Sequence, residues 1–189
     1  MDNIMQENPN VETYYGLVAH HVLKCASDIR LLICDVDGVM SDGLIYLGNN
    51  REVIKSFNVR DGYGIRCLLN SGIEFAIITS CSSTRLLEDH CVKLGIHHLY
   101  QGQSDKTVAF KTLLSKLTLT AEQIAYVGDD LIDAPVMEQV GLSVAVADAH
   151  PLLQLSADYV TRIAGGRGAV REVCDLLLFA QGKQKNANG

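Results

Sequence analysis

Two carboxylates, one residue apart, follow a short apolar run. The run at 29–34 predicts a buried parallel strand, and Asp35, Asp37 and Gly38 stand just beyond it. Ligands of open α/β sheets bind beyond the carboxyl ends of the strands. Gly38 permits a turn that would direct both carboxylates to one place. The alternative is an ordinary strand-ending turn, because Asp and Gly are common in turns.

Polar groups at the ends of two further predicted strands, and at the start of a predicted helix, favour the chemical interpretation. These groups are the Thr79 hydroxyl, the carboxylates of Asp129, Asp130 and Asp133, and the Lys106 ammonium. Because parallel strands share one carboxyl edge, a single crevice can collect them. Carboxylates that share a site repel one another unless a cation binds, and oxygen ligands favour Mg²⁺ over zinc. Mg²⁺ beside a lysine and a hydroxyl is what a phosphoryl group requires.

The composition predicts one globular domain over residues 1–189, with 48% apolar and 20% charged residues. The net charge of −6 argues against a nucleic-acid partner. No apolar run of membrane-spanning length and no signal peptide is present, so we expect no membrane partner and a cytoplasmic location. The six cysteines lack Cys-x-x-Cys spacing, which favours reduced thiols over disulfides or zinc ligands.

Alternating strand and helix patterns predict an α/β fold with a parallel sheet flanked by helices. From residue 73 onward, strands are predicted at 73–79, 98–101, 124–127, 142–146 and 158–161, and helices at 83–94, 105–116, 131–140 and 169–180. A capping pair, Thr120 and Gln123, precedes the third of these strands.

The amino-terminal third departs from this alternation. Helical spacing of apolar residues predicts an amphipathic helix within 11–25. Residues 44–57 predict a β-hairpin that turns at 48–50, and Asp61 is the expected cap of the helix that follows. The polar segments 1–10 and 182–189 are expected to be disordered.

The ordered motifs resemble those of the haloacid dehalogenase superfamily of phosphotransferases. They are Asp35-Val-Asp37-Gly, Thr79, Lys106 and Gly128-Asp129-Asp130-x-x-Asp133. Within that superfamily, segments 35–43, 57–66, 126–133 and 162–172 make nearly the whole chain similar to the 3-deoxy-D-manno-octulosonate 8-phosphate phosphatases. The resemblance implies a Rossmann-like fold whose small β-hairpin insertion at 44–57 stands in place of a cap domain. It also implies release of inorganic phosphate during lipopolysaccharide biosynthesis, in a Gram-negative source.

The resemblance assigns a role to each strand-end residue. Asp35 would be the nucleophile that forms an aspartyl-phosphate, and Asp37 the general acid and base. Thr79 and Lys106 would hold the phosphoryl oxygens. Mg²⁺ would be bound by the Asp35 carboxylate, the Asp37 main-chain carbonyl and Asp129. Asp130 and Asp133 would orient Lys106 and the metal-bound waters, although Asp133 could instead be a solvated helix residue.

The resemblance further implies that the sugar phosphate contacts Asp37, Lys106 and a segment after the hairpin. That segment comprises Asn58, Val59, Arg60, Asp61, Gly62 and Arg66, for which a helix cap and its flanks are the alternative. The family forms homotetramers, in which the glycine-rich tail around Arg167 would reach a neighbour's site.

One departure from the family concerns its second motif. The family continues this motif as Thr-Gly-Arg, whereas this chain has Thr79-Ser-Cys81 with one extra residue before Glu88, and His90 stands at a further basic position. Cys81 cannot bind an anion bidentately as arginine does. His90 can bind one only when protonated, so binding is expected to tighten as the pH falls toward 6. The departure leaves open a phosphatase for another sugar phosphate, or a non-catalytic oligomerisation or regulatory module.

Overall fold

A six-stranded parallel sheet organises the chain. The computed structural model describes residues 10–47, 53–82 and 85–184. Its strands are β1 (Asn10–Thr13), β2 (Gly16–Ala19), β3 (Leu31–Cys34), β4 (Tyr46–Leu47), β5 (Val53–Ile54), β6 (Glu74–Ile78), β7 (His98–Tyr100), β8 (Ile124–Gly128), β9 (Leu142–Ala145) and β10 (Tyr159–Val160). The large sheet has the order β10-β9-β8-β3-β6-β7, in which every neighbouring pair is parallel. The central strand β3 therefore lies between β8 and β6.

Seven helices accompany the strands in the described ranges. They are α1 (His20–Asp28), α2 (Val59–Asn70), α3 (Arg85–Leu94), α4 (Lys106–Leu117), α5 (Ala134–Met137), α6 (Pro151–Ser156) and α7 (Ala169–Ala180). Helix α7 packs against α1 and α2, and α4 packs against α5. Every residue of β3 and β8 is buried, which requires cover on both faces of the sheet. The predicted α/β fold with a parallel sheet and flanking helices is confirmed.

The amphipathic helix predicted within 11–25 is wrong for residues 11–19 and confirmed from His20 onward. Residues 10–19 form the antiparallel hairpin β1-β2, and α1 begins only at His20. The Thr13 hydroxyl donates to the Gly16 carbonyl at 2.7 Å, and the Tyr15 hydroxyl donates to Asp175 on α7 at 2.8 Å. These tertiary and turn contacts override the apolar spacing that the sequence shows in this segment.

Other element predictions differ in their bounds. The helix expected at 131–140 contracts to α5, and α6 was not predicted, although Pro151 and the His150 cap mark its start. Asn58, and not Asp61, caps α2 by accepting from the Arg60 backbone N–H at 2.9 Å. The capping pair Thr120 and Gln123 is confirmed in a short 3₁₀ turn.

The hairpin at 44–57 and the two termini are partly described. Strands β4 and β5 pair antiparallel, which confirms the hairpin, whereas its predicted turn at 48–50 lies outside the described residues. The disorder predicted for 1–10 is wrong at Asn10, which lies in β1, and residues 1–9 lie outside the described part. At the other end, Lys183 donates its backbone N–H to Leu178 at 2.9 Å, whereas residues 185–189 are not described.

The described ranges bear on two expectations, namely that the cysteines are reduced thiols and that no segment crosses a membrane. All six cysteines lie in those ranges, and none is paired in a disulfide. Among the helices described, none combines the length and the apolar character that crossing a bilayer would require.

Candidate active site

The three central strands deliver three polar residues to one edge of the sheet. Asp35 follows β3 and donates its backbone N–H to Val127 of β8 at 3.1 Å. Asp129 follows β8, and Thr79 follows β6. Since β8, β3 and β6 are neighbours in the sheet, the predicted convergence of these strand ends is confirmed.

Burial raises the pKa of two carboxylates at this edge. Asp35 is 5% exposed, and burial raises its pKa to about 6, against the opposing effect of the Lys106 ammonium. Burial, and then the charge of Asp35 and of the other neighbouring carboxylates, raises the pKa of Asp129 to about 7. Carboxylate oxygens of Asp35, Asp129 and Asp133 lie within 4.8 Å of one another. A bound cation would offset this concentration of negative charge.

Two local features fit Mg²⁺ at this cluster. Gly38 has a φ of +85°, and a Cβ there would overlap the Asp129 carboxylate, so only glycine lets the loop after β3 approach Asp129. Asp35 Oδ1 is buried and lies 2.9 Å from Lys106 Nζ, yet accepts no well-aligned hydrogen bond. It therefore keeps a lone pair for a cation, and oxygen donors are the ligands that Mg²⁺ prefers.

Lys106 is held between two carboxylates. As the first residue of α4, it follows the helix cap Asp105, whose side chain accepts from the Thr107 backbone N–H. Its ammonium lies 2.6 Å from Asp133 and 2.9 Å from Asp35, and its side chain is 1% exposed. The cation is thus fixed beside the carboxylate expected to react with phosphorus.

Asp133 is fully buried, so its interpretation as a solvated helix residue is wrong. Oδ1 accepts from Lys106 Nζ at 2.6 Å and from the Tyr126 hydroxyl at 2.7 Å. Oδ2 accepts the backbone N–H groups of Asp129 at 3.1 Å and Asp130 at 3.3 Å. These four bonds use the four acceptor sites of a carboxylate. Asp133 therefore orients Lys106 and the turn after β8.

Asp130 lies farther out than Asp133. Its carboxylate is exposed and accepts the Leu131 backbone N–H at 2.7 Å. Lys106 is therefore oriented by Asp133, and the role predicted for Asp130 toward metal-bound waters stays a prediction.

Thr79 is buried at the end of β6, with 1% of its surface exposed. Its backbone N–H donates to Tyr100 at 2.9 Å, and its hydroxyl oxygen accepts the Cys81 backbone N–H at 3.1 Å. The hydroxyl proton can still donate to a phosphoryl oxygen, because a hydroxyl is both a donor and an acceptor.

Lys55 is a site residue that the sequence interpretation missed. Its ammonium lies 2.7 Å from Asp37 Oδ1 and 2.8 Å from Asp37 Oδ2, and it donates to Cys81 Sγ at 3.3 Å. The available signal was its position within the predicted hairpin at 44–57, which follows the first motif. A lone lysine on a hairpin is more often solvated, which is why this signal was weak.

The segment expected to contact substrate begins at Asn58, the cap of α2, and continues into that helix. Val59 and Arg66 are exposed, whereas Gly62 is buried, and Arg60 donates to the Arg167 carbonyl at 3.0 Å. Asp61 is 2% exposed and accepts the Arg171 backbone N–H at 2.7 Å. Burial raises its pKa to about 6. Asp61 thus joins α2 to α7 within this chain.

The glycine-rich tail packs against the first-motif loop of its own chain. Gly165 lies so close to the Gly38 carbonyl that a Cβ on Gly165 would overlap it. Gly166 donates to the Val39 carbonyl at 2.9 Å, and Arg167 lies 3.4 Å from Asp42. The Arg167 side chain is 67% exposed, so most of it faces away from these contacts.

A cavity of about 250 Å³ borders Lys55. Its lining residues are Lys55, Phe57, Leu86, Asp89, His90 and Lys93. The His90 ring stacks on Phe57 with centroids 4.4 Å apart. Burial, and then the Lys93 charge, lowers the pKa of His90 from its ordinary value of 6.5. The predicted tightening of anion binding by protonated His90 therefore shifts to lower pH than expected.

Comparisons with known proteins agree with this geometry. The model of the haloacid dehalogenase-like hydrolase family matches residues 91–172. The 3-deoxy-D-manno-octulosonate 8-phosphate phosphatase of Salmonella typhi is 68% identical over 180 residues, which are 95% of each chain. A crystal structure of the Yersinia pestis phosphatase of the same name shares 66% identity with a TM-score of 0.92, covering 95% of this chain and 96% of that one.

A more distant relative was solved with ligands. The Moraxella catarrhalis 3-deoxy-D-manno-octulosonate 8-phosphate phosphatase, in complex with a magnesium ion, a phosphate ion and a KDO molecule, is 39% identical. Its TM-score is 0.84, and the match covers 87% of this chain and 94% of that one. With the ordered motifs and the parallel sheet, these matches show that the chain belongs to the 3-deoxy-D-manno-octulosonate 8-phosphate phosphatases of the haloacid dehalogenase superfamily.

Proposed function

We propose that the protein is a Mg²⁺-dependent phosphatase that hydrolyses 3-deoxy-D-manno-octulosonate 8-phosphate to the free sugar acid and inorganic phosphate. This reaction would serve lipopolysaccharide biosynthesis in the cytoplasm. The observation that carries the proposal is the buried Asp35 carboxylate, which lies 2.9 Å from Lys106 and within the Asp129 cluster. The identity of 68% to a phosphatase of that name supports the substrate.

In the first half-reaction, an Asp35 carboxylate oxygen forms a bond to phosphorus. The bond between phosphorus and the 8-oxygen of the sugar breaks, and Asp37, as the acid, gives its proton to that oxygen. Thr79 donates its hydroxyl proton to a phosphoryl oxygen, while Lys106 neutralises another. Since Asp133 fixes the ammonium at 2.6 Å, Lys106 is oriented before substrate arrives.

In the second half-reaction, the aspartyl-phosphate is hydrolysed. The Asp37 carboxylate takes a proton from water, and the water oxygen attacks phosphorus. The bond from phosphorus to Asp35 breaks, so that inorganic phosphate leaves and the Asp35 carboxylate is restored.

The residues that would hold Mg²⁺ are Asp35, Asp129 and the main-chain carbonyl of Asp37. When bound, the ion would offset the negative charge that otherwise repels a phosphate from three carboxylates. Asp133 is not in this ligand set, because its acceptor sites are already occupied.

The protein is further proposed to be a homotetramer. Leu44, Ile45 and Tyr46 are 55%, 65% and 49% exposed, and exposed apolar residues grouped in this way mark interfaces. The apolar contribution expected from Val53 and Ile54 involves side chains outside the described part. In such an assembly, the exposed Arg167 would reach a neighbour's site.

A phosphatase for another sugar phosphate is the second candidate. It is favoured by Cys81, which stands in the second-motif loop where the family has arginine and here contacts Lys55 at 3.3 Å. A substrate site that has the Cys81 thiol in place of an arginine guanidinium could accept a different leaving group.

Phosphate release from a panel of sugar phosphates, with Mg²⁺ and with chelator, tests the proposal. The octulosonate ester is expected to give the highest kcat/KM, and chelator to stop the reaction. Higher efficiency on a neutral sugar phosphate would favour the second candidate. Release that persists in chelator would contradict the Mg²⁺ requirement.

A further inference from the structure

Lys55 connects the proposed acid/base to a cavity that the reaction steps do not use. Its ammonium contacts both carboxylate oxygens of Asp37, and its side chain is 12% exposed. Lys55 also lines the cavity of about 250 Å³ together with residues of α3. Asp37 is expected to protonate the leaving oxygen, so an alcohol portion that extended from this oxygen past Lys55 would reach the cavity.

The charged residues of the cavity favour an anionic ligand. Lys55 and Lys93 contribute two ammonium groups and Asp89 contributes one carboxylate, and both Lys93 and Asp89 are exposed to solvent. His90 is stacked on Phe57, and burial, followed by the Lys93 charge, lowers its pKa and so disfavours its charged form. Asp37 offsets part of the Lys55 charge, and Lys93 adds a second ammonium group to the cavity lining.

The contact with Cys81 is the weakest of the three hydrogen bonds that the Lys55 ammonium makes in the absence of substrate. An ammonium has three donors, and those of Lys55 reach the two Asp37 oxygens and the Cys81 sulfur. A thiol sulfur is a weak acceptor. A carboxylate that entered the cavity would exchange this contact for a charge-assisted hydrogen bond, which is about twice as strong as a neutral one.

We infer that Lys55, together with Lys93, binds an anionic group on the alcohol portion of the substrate, and so makes the site selective for acidic over neutral sugar phosphates. The carboxylate of a sugar acid is the group that fits this description. The inference rests on the proposed function, since it names the substrate class of the same site. Lys55 thereby supplies a positive charge next to Cys81, which carries none.

Steady-state kinetics of Lys55→Met test the inference. The octulosonate 8-phosphate is compared with glucose 6-phosphate, a neutral sugar phosphate, at saturating Mg²⁺. Loss of the ammonium should lower the ratio of kcat/KM for the acidic over the neutral substrate by about tenfold or more, mainly through KM. Lys55→Arg keeps the charge and should retain most of the ratio. Lys111→Met, which changes an exposed lysine of α4 outside the cavity, is the matched control and should leave the ratio unchanged.

An equal fall in kcat/KM for both substrates would overturn the inference, because Lys55 would then only hold Asp37 in place. Calorimetric binding of the free octulosonate acid gives a second readout that involves no chemistry. Its affinity should fall about tenfold in Lys55→Met, and an unchanged affinity would equally overturn the inference. If wild type released no phosphate from the octulosonate ester, the proposed function would fail by itself, and the binding measurement would still decide the role of Lys55.

Discussion

Lys106 Nζ lies 2.6 Å from Asp133 Oδ1, and neither side chain is more than 1% exposed. The same Asp133 oxygen accepts the hydroxyl of Tyr126, a residue of β8. One carboxylate therefore ties the start of α4 to the strand and to the turn that carries Asp129. The position of the Lys106 ammonium is therefore a property of this buried network.

Asp133→Asn should destabilise the protein and reduce its activity. The substitution leaves the buried Lys106 charge with one carboxylate fewer, and the amide group cannot accept from all four present donors. Breaking a buried ion pair in this way is expected to reduce the free energy of unfolding by about 3–5 kcal/mol. Urea unfolding measures this, with the exposed Asp130→Asn as the matched control. A loss no larger than that of the control would contradict the network.

Asp35→Asn should abolish phosphate release while preserving the fold. The amide is a poor nucleophile of nearly the same shape, so we expect kcat to fall by about a thousandfold or more. In metal-free protein at pH 7.5, the stability of the variant should stay close to that of wild type, because relief from burying a carboxylate whose pKa is raised to about 6 is offset by loss of the Asp35 charge beside Lys106. Thermal denaturation and phosphate release check the two parts. Turnover within about tenfold of wild type would contradict the nucleophile.

The positions of the first-, second- and fourth-motif residues could be predicted because each follows an apolar, strand-like run in the sequence. Asp35 and Asp129 each follow a continuous apolar run, and parallel neighbours must bring such ends together. Asp133 could not be distinguished from a solvated residue, since its hydrogen bonds to Lys106 and to the Tyr126 hydroxyl form only when α4 and β8 come together in the fold.

Lys55 and the amino-terminal hairpin show the limits of periodicity. Nothing in the local sequence states that the Lys55 ammonium meets Asp37, because that contact depends on how the hairpin folds over the sheet edge. The apolar spacing in 11–25 suits a helix, but the contact from Tyr15 to Asp175 depends on a helix more than a hundred residues away along the chain. Contacts between residues so far apart in the chain cannot be recognised from local sequence patterns.

Mg²⁺ should bind more weakly as the pH falls from 8 to 6. The pKa values of Asp35 and Asp129 are raised to about 6 and about 7, respectively. Both carboxylates are therefore mostly ionised at pH 8, whereas at pH 6 Asp35 is about half protonated and Asp129 is mostly protonated. A metal must then displace protons, which lowers its apparent affinity by about tenfold or somewhat more over this range. The Mg²⁺-induced rise in melting temperature at several pH values measures the effect. A rise independent of pH would show that these carboxylates do not bind the ion.

The protein should have a solution mass of four times its 20.6 kDa chain mass. Ile45→Asp places a charge on the exposed apolar group of residues 44–46 and should dissociate the assembly, because burying an unpaired charge at an interface is unfavourable. Leu155→Asp, at an 83% exposed position of α6, is the matched control and should leave the mass unchanged. Light scattering at micromolar concentration gives the mass. A monomeric wild type would contradict the assembly.

Rebuilding residues 80–83 as the shorter Gly-Arg loop of the family should increase activity on the octulosonate phosphate. Residue 83 of this segment lies outside the described ranges, whereas Cys81 is described beside Lys55. Arginine can bind an anionic group bidentately, while Lys55 offers a single ammonium. A regained charge-assisted hydrogen bond corresponds to about 1.5–3 kcal/mol. We therefore expect kcat/KM to rise by about one to two decades, less whatever Lys55 already supplies.

The pH dependence of this gain in kcat/KM distinguishes the contribution of the rebuilt loop from that of protonated His90. Because burial and Lys93 lower the pKa of His90 below 6.5, its protonation should tighten substrate binding only at more acidic pH. The advantage of the rebuilt loop over wild type should thus be undiminished between pH 8 and 7 and should narrow only under acidic conditions. Steady-state kinetics of both proteins across this range provide the measurement.

If wild type is already efficient on the octulosonate ester and the rebuilt loop brings no gain, Lys55 and Lys93 fully replace the missing arginine. If the rebuilt loop brings no gain while another phosphate ester is hydrolysed efficiently, the departure at Cys81 is a change of substrate.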